Sequence, residues 1–408
     1  MTTALNQTRI DLLDIVRGIA VLGILLMNIR LFSEPYQAYF NPLVHGEYTG
    51  TNKIWWDFQY IFADQKFMAI FSMLFGASTA IICDNIEKRD GKAATIFMKR
   101  NIGLLIIGLI HAYFLWHGDI LVVYALASIL PFLFRNLHPI WILTAALILL
   151  GYGTYSSLEA YAGISKAPVH IQKIISEEMW LPPLTELQAE ISAYQGHYLE
   201  HFKHRTQTAW RFQTDTFLAW GLWRIGGLML LGLFLYRLGF LQGKLSGKFY
   251  GLCTIISLPV GFWLVTKGLI LNQANSWDFP YSMFLGSIWN YWGSIMVAIG
   301  YISLVGFLLA STSFRLGFNA LTHVGKAALS NYIYQTLIAI SVFYGFGLGL
   351  FGKLERVDTI LIVLSIWFSQ LILNSLWFRH HSKGPIEALW HKTTHRNWLP
   401  FKQKRAST

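Results

Sequence analysis

Ten apolar stretches constrain what this chain can fold into. They lie near residues 14–33, 57–83, 101–116, 119–135, 139–155, 215–237, 250–271, 281–311, 326–350 and 357–378. A helix needs about 20 such residues to cross a hydrocarbon core of about 30 Å, and the shortest stretch, 101–116, is helped by the broken connection "WHGD" that follows it. The prediction is an all-α, polytopic membrane protein with about ten transmembrane helices. Composition agrees: 54% of the 408 residues are hydrophobic and 13% charged, with a mean hydropathy of +0.44, too apolar for an ordinary soluble enzyme.

A net charge of +11 invites a nucleic-acid partner, but the basic residues gather at the ends of apolar segments and form no separate basic surface, so none is expected. The two cysteines, Cys83 and Cys253, fall in different spans, and their spacing fits neither a disulfide framework nor a metal site. No small-residue cleavage site follows the first apolar segment, which is therefore expected to remain as a signal anchor.

Most Lys and Arg outside the spans fall on one set of connections, including Lys88, Arg89, Lys92, Lys99 and Arg100, then Arg237, Lys244 and Lys248, and the C-terminal tail. The positive-inside rule then places both termini in the cytoplasm. Residues 1–378 are expected to form one transmembrane domain, with an outer helical cap, 156–214, inserted between helices five and six. Its periodic apolar positions predict two or three amphipathic helices over the outer face. Residues 379–408 form a basic cytoplasmic tail, in which "KGPIEALWHK" predicts a short interfacial helix with Pro385 at its first position and Glu387 in its first turn.

Polar residues inside spans need a partner or a purpose, because a charge there costs about 2.5–3.5 kcal/mol on insertion scales. In "DLLDIVRGIAVLGILLMN", residues 11–28, Asp14, Arg17 and Asn28 share one face at about 100° per residue. Asp14 and Arg17 alone fit an ion pair at the inner mouth of the helix, while Asn28 extends a polar track across most of the membrane. Arg30 points the other way and is expected to snorkel to the outer interface. In "GLIHAYFLWHGDILVVYAL", Gly118 turns the chain so that Asp119 can cap the next helix, and His111, His117 and Asp119 can converge. His111 is either a buried imidazole bonded to a neighbouring helix or a catalytic base. Asp64 and Lys66 sit just inside the outer end of the second span, where snorkelling accounts for Lys66, and His45 lies in an outer loop. Asn331 and Gln335, four residues apart, are expected to bond a neighbouring helix. Arg224 and Lys267 are further intramembrane charges without an obvious sequence partner.

Six segments together, "DIVRGIAVLGILLMN", "QKFMAIFSMLFGA", "GLIHAYFLWHGDILVVYAL", "GGLMLLGLFLYRLGFL", "GKAALSNYIYQTLI" and "GPIEALW", resemble the YeiB family of bacterial inner-membrane proteins in order along nearly the whole chain. The first helix also resembles that of a wider group of transmembrane acyltransferases, including heparan-alpha-glucosaminide N-acetyltransferase and bacterial enzymes that O-acetylate surface sugars. That resemblance implies transfer of an acetyl or other short acyl group from cytoplasmic acetyl-CoA to a periplasmic acceptor such as a glycan or small molecule. Many of the sugar acetyltransferases carry a catalytic His eleven residues after the Arg of the first helix; here that position is Asn28. The glucosaminide acetyltransferase carries Asn there, a His in the first outer loop and an "AD" near helix two, and His45, Ala63 and Asp64 occupy similar places.

The implied catalytic set is His111 or His45, with Asp119 or Asp64 orienting the imidazole. The implied cofactor set is Asp14, Arg17, Asn28, Lys66 and Arg100, with the basic segments Lys88–Arg100 and Arg315–Lys326 facing the anionic headgroup. No phosphate-cradling Gly loop or nucleophile elbow adds to it. The rival expectations are a transporter in which Asp14, Arg17, Lys66 and His111 line an alternating pathway, and a scaffold without turnover. No repeat relates the two halves as transporters often require. The bilayer is the expected partner, with homo-oligomers possible through the Gly-rich and aromatic faces of 215–237 and 281–300.

Overall fold

The computed structural model describes residues 2–89, 91–310 and 318–395, with side chains from residue 12 to 392 within those ranges. Arg315, at the start of the basic segment Arg315–Lys326, and the tail residues Arg396, Lys402, Lys404 and Arg405 lie outside the described side chains. The regular elements are α-helices: α1 (Thr2–Ser33), α2 (Gly50–Phe62), α3 (Lys66–Glu87), α4 (Ala93–Ile110), α5 (Leu121–Ala127), α6 (Ile129–Phe134), α7 (Pro139–Lys166), α8 (Val169–Met179), α9 (Leu184–Gln195), α10 (Tyr198–Arg211), α11 (Leu222–Arg237), α12 (Gly247–Ala274), α13 (Ser287–Ala310), α14 (Asn319–Lys326), α15 (Ala328–Phe343), α16 (Thr359–Trp377) and α17 (Pro385–His395). Among the described residues, eight segments are long and apolar enough to cross a membrane, and Leu121–Phe134 and Ala328–Phe343 are two shorter apolar helices. Each of the ten apolar stretches in the sequence falls on one of these.

Helix α1 is the hub. It packs on α3, α13, α14, α15 and α16, and most of its side chains from Leu12 onward are buried. By contrast α7, α12 and α16 turn Trp141, Ile148, Ile255, Trp263, Leu361 and Phe368 outward, a surface suited to lipid tails. Small residues set the closest approaches. A Cβ on Gly76 of α3 would stand 1.9 Å from the Met229 carbonyl oxygen of α11, and one on Gly232 of α11 would stand 2.0 Å from that of Met73. The two backbones touch through a reciprocal pair of glycines, the contact that drives helix association where lipid removes the hydrophobic contrast.

The helix ends sort onto two opposite faces. On one, Arg237 pairs with Asp84 at 2.9 Å and donates to the Arg135 carbonyl at 2.8 Å, while Arg135 pairs with Glu87 at 3.2 Å. On the other lie α8 and α9, together with α10, which runs without a break through 212–221 into α11, within the stretch 156–214 where two or three amphipathic helices were expected; residues 156–166 continue α7. This stretch is tied down by Trp180 Nε1 donating to the Trp277 carbonyl at 2.9 Å, Asn41 donating to the Trp180 carbonyl at 3.3 Å, and Gly345 N–H donating to the Tyr194 carbonyl at 2.9 Å. The second predicted span is two helices. Between α2 and α3 the chain breaks at Ala63–Gln65, with Gln65 in the left-handed region at φ 61°.

The C-terminal helix departs from a lone interfacial anchor. Glu387 Oε1 accepts the N–H groups of Leu329 (2.7 Å) and Ser330 (3.1 Å), and Trp390 Nε1 donates to the Arg100 carbonyl at 3.0 Å. Helix α17 is therefore docked between α4 and the start of α15, whose exposed N–H groups and positive dipole end attract a carboxylate.

Candidate functional site

A cavity of about 790 Å³ runs into the helix bundle from the face that carries α17. Its mouth is polar and partly exposed: Asp14 and Arg17 of α1 form an ion pair at 2.8 Å, Lys326 is exposed, and the Arg100 guanidinium lies 4.4 Å from the Trp390 ring. A smaller adjoining pocket of about 230 Å³ adds Arg89 and His391 and shares Arg100. The shaft is apolar, lined by Val21 and Ile24 of α1, Phe71 and Phe75 of α3, and Leu104 of α4. The deep end is closed by Ile120, Leu121, Tyr124 and Tyr332, the last three all buried.

Beyond that end lies His111. Helix α4 widens into a π turn over His111–Leu115 and ends in an extended Trp116, so the chain reverses within a few residues. Asp119 then caps the first turn of α5, its Oδ2 accepting the Val122 N–H at 2.8 Å, the role the sequence suggested. The other oxygen lies 2.9 Å from His111 Nδ1. His111 Nε2 lies 2.9 Å from Thr336 Oγ1 on α15. His111, Asp119 and Thr336 are each no more than 1% exposed. Tyr332, one turn before Thr336, joins this group to the cavity: its ring lines the deep end and sits 5.0 Å from the His111 ring.

Of the implied cofactor residues, Asp14, Arg17 and Arg100 line this cavity. Asn28 does not; it stands one turn beyond Ile24, the last α1 residue in the lining. Lys66 does not either, and it does not snorkel. Its Nζ is fully buried and donates to the Tyr60 carbonyl at 2.6 Å and Asn290 Oδ1 at 2.7 Å. Asp64 accepts from Asn290 Nδ2 at 2.7 Å and from the Tyr39 hydroxyl at 2.5 Å. Asn290 of α13 thus bridges the two charges through both ends of its amide. Arg30 also stays inside: it is 4% exposed, lies about 4.5 Å from the Tyr39 and Trp56 rings, and donates to the Tyr39 carbonyl. Two aromatic faces and one local carbonyl surround it where the sequence suggested water, while its Nε and Nη1 make no hydrogen bond among the described residues.

Asp64 is therefore committed to Tyr39 and Asn290, and Asp119 is the carboxylate at His111. His45 contributes its backbone carbonyl to Arg356, whose Nε pairs with Glu34 at 2.8 Å. The foreseen convergence of His117 with His111 is also absent, because Trp116, stacked on Phe32 at 4.0 Å, stands between the two imidazoles. His117 turns to the cap, where its Nδ1 meets the Tyr194 hydroxyl at 2.9 Å. Burial, followed by the neighbouring His204, Arg205 and His201, pulls its pKa down to about 3, so this imidazole is neutral.

Asn331 and Gln335 do what their spacing suggested. Asn331 exchanges hydrogen bonds with Asn374 and Gln370 of α16, and Gln335 donates to the Val21 carbonyl of α1 at 3.0 Å. Of the two unplaced cations, Arg224 lies over the Tyr291 ring at 4.0 Å and donates to Ser294 at 2.7 Å. Lys267 sits 5.1 Å and 4.4 Å from the Trp263 and Trp289 rings. Thr336 and Tyr332 went unnoticed in the sequence. Their four-residue spacing in "SNYIYQTLI" puts them on one helix face, but nothing local announces that His111 lies against it.

An all-helical bundle with this many apolar spans, a cation-rimmed cavity and a buried His–Asp pair defines a multi-pass membrane protein. Its relatives are of the same length. The chain is 30% identical to the uncharacterized protein YeiB of Escherichia coli (strain K12), over 94% of this chain and 95% of that one. It is 26% identical to the uncharacterized protein YxaH of Bacillus subtilis (strain 168), over 98% of each, and 26% identical to an uncharacterized 39.9 kDa protein from the amylase 3' region of Bacillus acidopullulyticus, over 97% of each. Residues 235–397 match a family described as a protein of unknown function, DUF418. The chain belongs to the YeiB family. No solved structure matches it significantly.

Proposed function

We propose that this protein is a transmembrane acyltransferase of the bacterial inner membrane, moving an acetyl or similar short acyl group from cytoplasmic acyl-CoA to an acceptor on the opposite side. One observation carries this reading: the cavity with a cationic mouth and an apolar shaft stops against the Tyr332 ring, directly beneath the His111–Asp119 pair. Its volume of about 790 Å³ falls in the range of about 300–1,000 Å³ usual for small-molecule sites. Arg89, Arg100 and Lys326 suit a phosphate-rich headgroup, Val21, Ile24, Phe71 and Leu104 suit a pantetheine arm, and the thioester then points at His111. Asp119 holds the imidazole in one tautomer and stabilises its cation, and Nε2 takes the proton from an attacking hydroxyl or amine.

The test is binding followed by loss of chemistry. Acetyl-CoA should raise the melting temperature of the purified protein, approaching about 2.7 kcal/mol of stabilisation at a hundred times its Kd. Arg100→Glu should weaken that binding at least about tenfold by placing a like charge at the mouth. His111→Ala should bind acetyl-CoA normally and turn over none. No thermal shift at saturating acetyl-CoA, with no acyl product, would transfer the same cavity to a transporter.

A further inference from the structure

We propose that Thr336 is the nucleophile of this site and carries the acyl group as an ester on Oγ1 between two half-reactions; the inference rests on the acyltransfer reading above. Three side chains, from the turn before α5, the π turn at the end of α4 and α15, sit in series as carboxylate, imidazole and hydroxyl: Asp119 Oδ1 lies 2.9 Å from His111 Nδ1, and His111 Nε2 lies 2.9 Å from Thr336 Oγ1. Such a constellation is recognised by geometry and role, whatever the fold or the order in the chain.

Proton placement follows from the neighbours. Asp119 accepts the Val122 N–H on Oδ2, which leaves its buried Oδ1 and the buried His111 Nδ1 with no other hydrogen-bond partner than each other among the described residues. A bare Nδ1 lone pair at 2.9 Å from a carboxylate oxygen would be repelled, so Nδ1 carries the hydrogen and Nε2 is the lone pair. Thr336 must then donate to Nε2. A buried threonine in a helix ordinarily gives its hydrogen to the carbonyl four residues earlier; here that contact, to Tyr332, is the longer one at 3.3 Å. The hydroxyl is aimed at the base.

The location supplies the reason for a covalent step. The cavity opens on one face and ends at Tyr332, one turn short of Thr336. Direct transfer would need acyl-CoA and an acceptor from the other face in one chamber together, open on both sides. A double displacement lets each arrive alone. In the first half-reaction Oγ1 attacks the thioester carbonyl carbon as His111 Nε2 takes its proton; the C–S bond breaks, and the imidazolium returns the proton to the CoA thiolate. In the second, His111 takes a proton from an acceptor hydroxyl or amine, which attacks the ester carbonyl; the bond to Oγ1 breaks, and Thr336 regains its hydrogen. The sum is acyl-CoA plus acceptor giving acyl-acceptor plus free CoA, with no change of oxidation state. Neither cysteine thiol competes, since Cys83 packs among Ile86, Ile96 and Phe97, and Cys253 lies on α12.

The experiment needs no acceptor. Full-length protein in detergent is mixed with acetyl-CoA alone, and released thiol, intact mass and the modified peptide are measured beside the thermal shift. The expected result is a burst of about one CoA per chain and one acetyl group mapped to Thr336. Thr336→Ser should keep both. Thr336→Val, which keeps the shape and removes the hydroxyl, should slow the burst by at least about a thousandfold while retaining the acetyl-CoA thermal shift. A thermal shift without burst or adduct, or an acetyl group found on His111 or a cysteine, overturns the Thr336 relay and leaves the acyltransfer reading standing. Absence of both shift and thiol release removes that reading, and the relay with it.

Discussion

Lys66 illustrates how a buried charge is held in this protein. Its ammonium has no solvent contact and shares the Asn290 amide with Asp64. Removing one charge strands the other, at a cost of about 3–5 kcal/mol for a buried pair. Lys66→Met should therefore lower the melting temperature sharply, and adding Asp64→Asn to it should recover part of the loss; additive losses would show that the amide does not couple them. The charges themselves were plain in the sequence, but their fate was not. The left-handed Gln65 that turns both inward lies in a stretch without Gly or Pro, and Asn290, the group that joins them, is more than two hundred residues away. His117 gives a prediction with a sign. Its pKa falls from about 6.5 when exposed to about 3 in the fold, so the unfolded chain takes up the proton first. The neutral imidazole is fully compatible with folding above pH 6.5, and stability drops as pH falls from there toward 3. His117→Gln, which cannot titrate, should flatten melting temperature against pH over that interval.

At the scale of elements, the spans were readable because apolar length leaves few choices, while their ends were set by contacts no span could show. The stretch 326–350 becomes helix only over Ala328–Phe343, because the chain then folds back on itself, with Leu348 N–H bonding the Ser341 carbonyl at 2.9 Å and Phe351 N–H that of Phe343 at 2.7 Å. The start of α15 depends on Glu387. Glu387→Ala should cost about 1–3 kcal/mol by leaving the Leu329 and Ser330 N–H groups unsatisfied. Because Glu387 and Trp390 also line the cavity, the same variant should weaken acetyl-CoA binding, which calorimetry would register. The α3–α11 contact tolerates no side chain at Gly232. Gly232→Val should destabilise by at least about 1–3 kcal/mol through overpacking, read as a fall in melting temperature, whereas an equivalent change at Gly163, where a Cβ would meet nothing within 4 Å, should be silent.

For the whole molecule, alternation of the ten apolar helices among the described residues puts α8 and α9 on one face and the Asp84, Arg135 and Arg237 cluster on the other. With Cys83 and Cys253 replaced by Ser, Lys173→Cys on α8 should react with an impermeant maleimide in intact cells, and Lys248→Cys on α12 only after lysis; the reverse pattern would invert the orientation. The sequence displayed His111 and Asp119 because they sit on either side of one short turn, but the cavity and Thr336 come from helices brought together over hundreds of residues, which periodicity does not record. The central position of α1 has a consequence for biogenesis. Helix α1 leaves the ribosome well before the residues that enclose it, with Gly18 against Leu321 and Gly325 against Asp14, partners about three hundred residues further along the chain. Until they emerge, the Arg17 guanidinium must be neutralised from within its own turn, and Asp14, three residues back at 2.8 Å, can serve as that temporary companion.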